Sequence, residues 1–137
     1  SSENKKVLNF AKKIGARIIE RPKVLSHDKV YKIEVIKDAI RKLNDKPSLI
    51  ISLQPNSPDI LSSDLDRGIE KLIRFNLNEV ISTNNKGIQN AAFRIMKYKT
   101  LFQKSLSTYC GFVITDTSDI HTLRDLKIVE KNKIYEN

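Results

Sequence analysis

This chain has one cysteine, only four glycines and no tryptophan, and two of these scarcities close off classes of function. A lone Cys110 forbids an internal disulfide and a thiolate metal cluster. It sits in the apolar run Tyr109-Cys110-Gly111-Phe112-Val113-Ile114, where a small core residue is the expected role. Poverty in cysteine fits a reducing compartment, so a cytoplasmic location is expected. Gly15, Gly68, Gly87 and Gly111 stand singly. Neither G-x-G-x-x-G nor G-x-x-x-x-G-K-[ST] occurs, so no familiar Gly-rich phosphate loop is available. No apolar run approaches the roughly 20 residues of a membrane helix, and no membrane partner is expected.

What remains, at 137 residues with 39% hydrophobic and 30% charged side chains, reads as a single globular domain over residues 1–137. The net charge of +9 raises nucleic acid as a partner. Two features argue against it. The 18 Lys and 7 Arg accompany 18 Ile and 11 Asn, the composition of an AT-rich coding sequence. The lysines are also spread along the chain and are not interleaved with aromatics on which bases would stack. No nucleic-acid partner is expected, and the positive field suits a small phosphate or carboxylate substrate better.

Apolar spacing predicts a first helix with Val7, Leu8, Ala11 and Ile14 on one face, capped by Ser2 and stopped by Gly15. A short strand, Arg17-Ile18-Ile19-Glu20, should end at Arg21-Pro22. A second helix follows Asp28 along Val30, Ile33, Ile36, Ala39, Ile40 and Leu43, and a third starts at Ser62-Ser63-Asp64 with a serine cap. For Asp28 and Asp64 a helix-start role is the expected one. Strands are predicted at Ser48–Leu53, Glu79–Thr83, Asn90–Met96 and Thr108–Ile114, with a short helix from Tyr98 to Lys104 and a last helix from Thr122 to about Asn132. This alternation predicts an α/β fold, a three-layer αβα domain around a mostly parallel sheet.

The stretch Ile50-Ile51-Ser52-Leu53-Gln54-Pro55-Asn56-Ser57-Pro58 stands out. A β-branched run stops at an amide, and two prolines then bracket Asn-Ser. It reads as a buried, central strand delivering a rigid polar loop at its carboxyl end, where open α/β sheets bind ligands. The plainer reading is a strand followed by a Pro-rich turn.

Four separated patterns lie in order along the chain: Gly15-Ala16 … Arg21-Pro22 … Asp28, then Leu53-Gln54-Pro55-Asn56-Ser57-Pro58, then Asn90-Ala91-Ala92-Phe93, then Asp119-Ile120-His121 … Asp125-Leu126. Together they resemble the acylneuraminate cytidylyltransferases, or CMP-sialic acid synthetases, from about Glu3 to Lys131. The resemblance implies a nucleotide-diphospho-sugar transferase-like (Rossmann-like) fold and a transferase of surface-glycan nucleotide-sugar biosynthesis. In such enzymes the anomeric hydroxyl of a sialic-type sugar acid attacks the α-phosphate of CTP, and pyrophosphate leaves. It further implies Gln54, Asn56, Ser57 and Asn90 as sugar-acid-binding residues, Arg21 on the nucleotide side, Asp119 and His121 as the metal positions for Mg²⁺ or another divalent ion, and a homodimer. The family's first strand and its basic CTP loop are expected ahead of Ser1.

Several positions depart from the family pattern. Asn56 replaces threonine, and Asp59-Ile60 replaces Leu-Arg, which removes a cation. Ala91 replaces glycine, and His121 replaces the second metal aspartate, although Mg²⁺ prefers oxygen ligands. An alternative therefore stands beside the enzyme: an inactive truncated relative that binds a sugar acid or a partner protein. Asp119 and His121 also admit reading as a helix-start acid and a surface imidazole, and Asn90 as a turn residue.

Overall fold

The structure, a computed structural model, describes residues 1–44, 46–105 and 107–135. The chain divides into two compact units, residues 1–48 and 49–137.

In the first unit, helix α1 (Lys5–Lys13) starts at Asn4, whose Oδ1 accepts from the N–H groups of Lys6 at 2.9 Å and Val7 at 3.4 Å. Asn4, and not the expected Ser2, is the cap; the Ser2 hydroxyl accepts from the Asn4 N–H instead. The stop at Gly15 is as expected. With φ at 84° it turns left-handed, and Gly15 and Ala16 donate back to Lys12 and Ala11, the paired bonds that close many helix ends. The strand expected at Arg17–Glu20 is reduced to one parallel bridge between Ser2 and Glu20. A 3-10 turn at Lys23–Leu25 precedes α2 (Lys32–Leu43). The second helix begins at Tyr31, so Asp28 does not cap it.

The second unit holds β1 (Leu49–Leu53), α3 (Ser62–Arg74), β2 (Glu79–Thr83), β3 (Gln89–Lys97), a 3-10 turn (Tyr98–Phe102), β4 (Cys110–Ile114) and α4 (Leu123–Tyr135). The four strands lie in the order β1-β3-β2-β4, a mixed α/β architecture. Both ladders of β3 are antiparallel and only β2–β4 is parallel, so the sheet is mostly antiparallel and not mostly parallel as expected. The cause is one strand. Only five residues link β2 to β3, whereas a parallel connection needs a crossover of about a dozen or more. The link closes as a hairpin, with Asn84 N–H donating to the Ile88 carbonyl at 2.8 Å and Asn84 Oδ1 accepting from Lys86 and Ile88. β1, β2 and β4 still share one direction. The strand read as central, β1, is an edge strand of this sheet.

Helix α3 covers one sheet face. Leu72 packs with Val80, Phe93, Ile95 and Val113, flanked by Leu65 and Ile69. Gly68 allows that approach, since a Cβ there would lie 2.6 Å from Ile95 Cδ1. The helix starts at Leu61 with no side-chain cap, so the serine expected there does not serve. Asp64 lies buried in the first turn and pairs with Arg67. Arg67 and Lys71 also donate to the Ile114 and Phe112 carbonyls, covering the free edge of β4 with charge. At the opposite end of the sheet, fully buried Glu79 pairs with Arg94, whose Nε donates at 2.7 Å. Burial, followed by the charge of Glu79, pushes the Cys110 thiol above its usual range, which suits the inert role expected of it.

Candidate functional site

Because β1, β2 and β4 point the same way, their carboxyl ends meet at one edge of the sheet, and β3 begins there. That edge gathers Gln54, Asn56, Ser57, Asn90, Asp119 and His121, six of the seven residues singled out in the sequence. The seventh, Arg21, belongs to the first unit, where its guanidinium donates to the Ser1 carbonyl at 2.9 Å and lies 3.8 Å from Glu3.

Gln54 follows β1 directly. Its N–H donates to the Ala92 carbonyl at 2.9 Å, continuing the ladder by one rung, while its side-chain amide makes no hydrogen bond among the described residues. Ser57, 4% exposed, donates its N–H back to the Gln54 carbonyl and closes the loop as a turn. Asn56 faces the other way. Its Nδ2 donates to Asp119 Oδ1 at 2.6 Å, and its carbonyl accepts from Ile120 N–H at 2.9 Å. The Pro-bracketed loop and the Asp-Ile-His segment are thus tied together twice.

Asn90 is engaged from both ends. Its Nδ2 donates to the hydroxyls of Thr115 at 2.8 Å and Thr117 at 3.3 Å, and its Oδ1 accepts from Ala92 N–H. It joins the start of β3 to the loop after β4. The next residue, Ala91, sits at φ 59°, in the left-handed region that costs a residue with a Cβ roughly 1 kcal/mol or more. The irregularity between Ile81 and Thr83 in the β2–β3 ladder lies beside it, and Ser82 Oγ bridges the gap by accepting from Phe93 N–H and donating to the Phe93 carbonyl. A glycine at this position in the resembled family would take that conformation without cost.

Asp119 Oδ2 lies 2.9 Å from His121 Nε2, with both side chains well exposed. Each oxygen of Asp119 therefore has a partner. Among the described residues no three His, Cys, Asp or Glu side chains are placed to share a metal ion. One carboxylate and one imidazole suit a transition ion better than Mg²⁺. The fit to a hard cation is to Asp119 alone.

Behind the pair, α4 opens on a reciprocal cap. Asp125 Oδ2 accepts from His121 and Thr122 N–H groups at 3.1 and 2.8 Å, and Thr122 Oγ1 accepts from Asp125 N–H. Chiefly the His121 N–H, then the Thr122 hydroxyl and N–H, hold the Asp125 carboxyl below its ordinary range.

The sequence reading missed three groups at this edge. Both carboxylate oxygens of Asp59 lie within 3.0 Å of Ser118 N–H, a second strap between the two loops. Thr115 and Thr117 anchor Asn90. Thr83, 3% exposed, holds a buried hydroxyl with no hydrogen-bond partner among the described residues. The partners of Asp59, Thr115 and Thr117 are remote in sequence, and the buried hydroxyl of Thr83 leaves no sequence signal. Asp59 was the one legible in part, as the odd residue in the Pro-loop motif.

A scan against protein-family models finds none that matches this chain, and a search of curated proteins returns no significant relative. No helix among the described residues is long and apolar enough to cross a membrane.

Proposed function

We propose that this chain carries the sugar-acid side of a cytidylyltransferase, the transfer of CMP from CTP to a sialic-type nonulosonic acid. The observation that carries the reading is the bond between Asn56 and Asp119. It brings two of the resembled motifs, 63 residues apart, onto the edge where α/β sheets bind ligands. In this reading the free amide of Gln54 hydrogen-bonds the sugar acid, with Asn56 and Ser57 shaping the loop around it. Asn90 holds the floor in place, and Arg21 serves the nucleotide. A divalent ion, when bound, would take Asp119 as its carboxylate ligand and neutralise phosphate charge. A three-layer αβα nucleotide-diphospho-sugar transferase-like fold, a cytoplasmic location and a homodimer belong to the same proposal.

A second reading has its own support. His121 stands where the family has an aspartate and already occupies Asp119, which favours a relative that binds the sugar acid without turnover. The two separate in one assay. Incubation with CTP, Mg²⁺ and N-acetylneuraminate should release pyrophosphate and form the CMP-sugar if the chain is an enzyme. Saturable binding of the sugar acid, lost in Gln54→Ala, without pyrophosphate release supports the binding protein. Neither binding nor turnover across several nonulosonic acids would sink both.

A further inference from the structure

The excess positive charge of this protein is unevenly placed. The acids are spread evenly along the chain, but Lys and Arg are about twice as dense in the first unit as in the second. Residues 1–48 hold 13 Lys and Arg against 6 Asp and Glu, a net +7, while residues 49–137 hold 12 against 10, a net +2. Within the first unit lies an open groove of about 650 Å³ whose lining includes Arg17, Arg21, Lys23 and Lys42 together with the apolar Ile19 and Leu43. Glu20 is the one acid of that lining.

These cations differ in how far they are engaged. Lys42 is held by Asp38 at 3.0 Å and by the Glu20 carbonyl at 2.8 Å. Arg21 is anchored by its guanidinium to the Ser1 carbonyl, and its enclosed Nε faces the Glu3 carboxylate at 3.8 Å. Arg17 and Lys23 have no side-chain partner among the described residues. A groove of small-molecule size thus offers two fixed cations and two uncommitted ones. A single carboxylate would use only part of this, whereas a chain of phosphates matches several cations at once, and guanidinium groups bind phosphate oxygens in pairs.

We infer that this groove binds a linear phosphate chain, the polyphosphate tail of a nucleotide or free polyphosphate, with Arg17 and Lys23 as its principal contacts. The inference deepens the nucleotide role given to Arg21 and rests on that reading for the identity of the ligand, but not for the binding itself.

The test titrates inorganic tripolyphosphate, and separately CTP, into the full chain by calorimetry at low and moderate salt. The variants are Arg17→Ala/Lys23→Ala and a charge-matched control on exposed lysines of the second unit, Lys86→Ala/Lys127→Ala. The groove variant should bind tripolyphosphate about tenfold more weakly or worse, the loss expected for charged hydrogen bonds, while the control changes less than about twofold. Tighter binding of CTP than of tripolyphosphate would name a nucleotide as the source, and equal binding would name the bare phosphate chain. Equal weakening in both variants, no weakening in the groove variant, or no binding by the unaltered chain overturns the inference. Groove-dependent binding in a chain that never forms CMP-sugar would retire the cytidylyltransferase reading and leave the phosphate site standing.

Discussion

Asn56 and Asp119, 63 residues apart, are joined by a 2.6 Å hydrogen bond from amide to carboxylate, and this bond fixes the geometry of the candidate site. A donor to an ionised acceptor is worth more than a neutral pair, roughly 1.5–3 kcal/mol where solvent is partly excluded. The exposure of Asp119 places this one at or below the lower end. Asn56→Ala should lower stability by about 1 kcal/mol in urea unfolding and weaken sugar-acid binding, because the loop loses one of its straps. Asn56→Asp should do worse on both counts by setting two carboxylates together, and should recover at low pH. If Asn56→Ala leaves sugar-acid binding intact while Gln54→Ala abolishes it, the tie is structural only.

Ala91 gives a sharper prediction because it runs against the usual direction of mutation. At φ 59° the Cβ of alanine costs roughly 1 kcal/mol or more that glycine avoids, while glycine adds back several tenths in unfolded-chain entropy. Ala91→Gly should therefore raise stability slightly, by less than about 1 kcal/mol, seen as a higher urea midpoint with an unchanged slope. Ala91→Val should lower it further than an exposed strand substitution does. A drop in stability with glycine would mean that Ala91 is not held left-handed in solution.

The capping residues of α4 make a pH prediction. Asp125 is held below its ordinary carboxyl value by His121 and Thr122. A carboxylate whose folded pKa is depressed contributes its full stability above the unfolded value of about 3.9 and loses it as pH falls through the lower folded value. Acid should thus fray the start of α4 below about pH 4, seen as loss of amide protection near His121 and Thr122. In Asp125→Asn that component of the pH dependence should disappear. An unchanged acid profile in the variant would assign the sensitivity to another group.

How much of this was legible in the sequence depends on what kind of signal each feature leaves. β2 was placed residue for residue, and α1 and α3 were found from their apolar stripes. Strand direction was not, because alternation looks the same either way. The sign that β3 turns back was the five-residue link with its Asn-Asn-Lys-Gly turn, outweighed by the overall alternation of helices and strands. Caps misled where several polar residues compete: Asn4 prevailed over Ser2, and Leu61 precedes α3 although serines follow it. At the site, the Pro loop and the Asp-Ile-His segment could be seen separately. That Asn56 touches Asp119 is a tertiary fact, and although Asp59 stood out in the Pro-loop motif, nothing in the sequence paired it with Ser118.

The close approach of α3 to the sheet can be tested through Gly68 and Ile95. A methyl group at Gly68 would lie 2.6 Å from Ile95 Cδ1, well inside van der Waals contact, so helix or side chain must shift. Two effects oppose each other in Gly68→Ala: alanine favours the helix by about 1 kcal/mol, and overpacking costs about 1–3 kcal/mol. The net expectation is a loss of about 1–2 kcal/mol. Ile95→Val removes the atom in the way and alone should cost about 0.5–1.5 kcal/mol as a small cavity. Together the two changes should be less damaging than their sum, since the new methyl fills the space vacated by Cδ1, giving a favourable coupling of about 1 kcal/mol in a double-mutant cycle. Strict additivity in urea unfolding would show that Gly68 and Ile95 do not meet, and that α3 rides higher on β3 than the 2.6 Å approach requires.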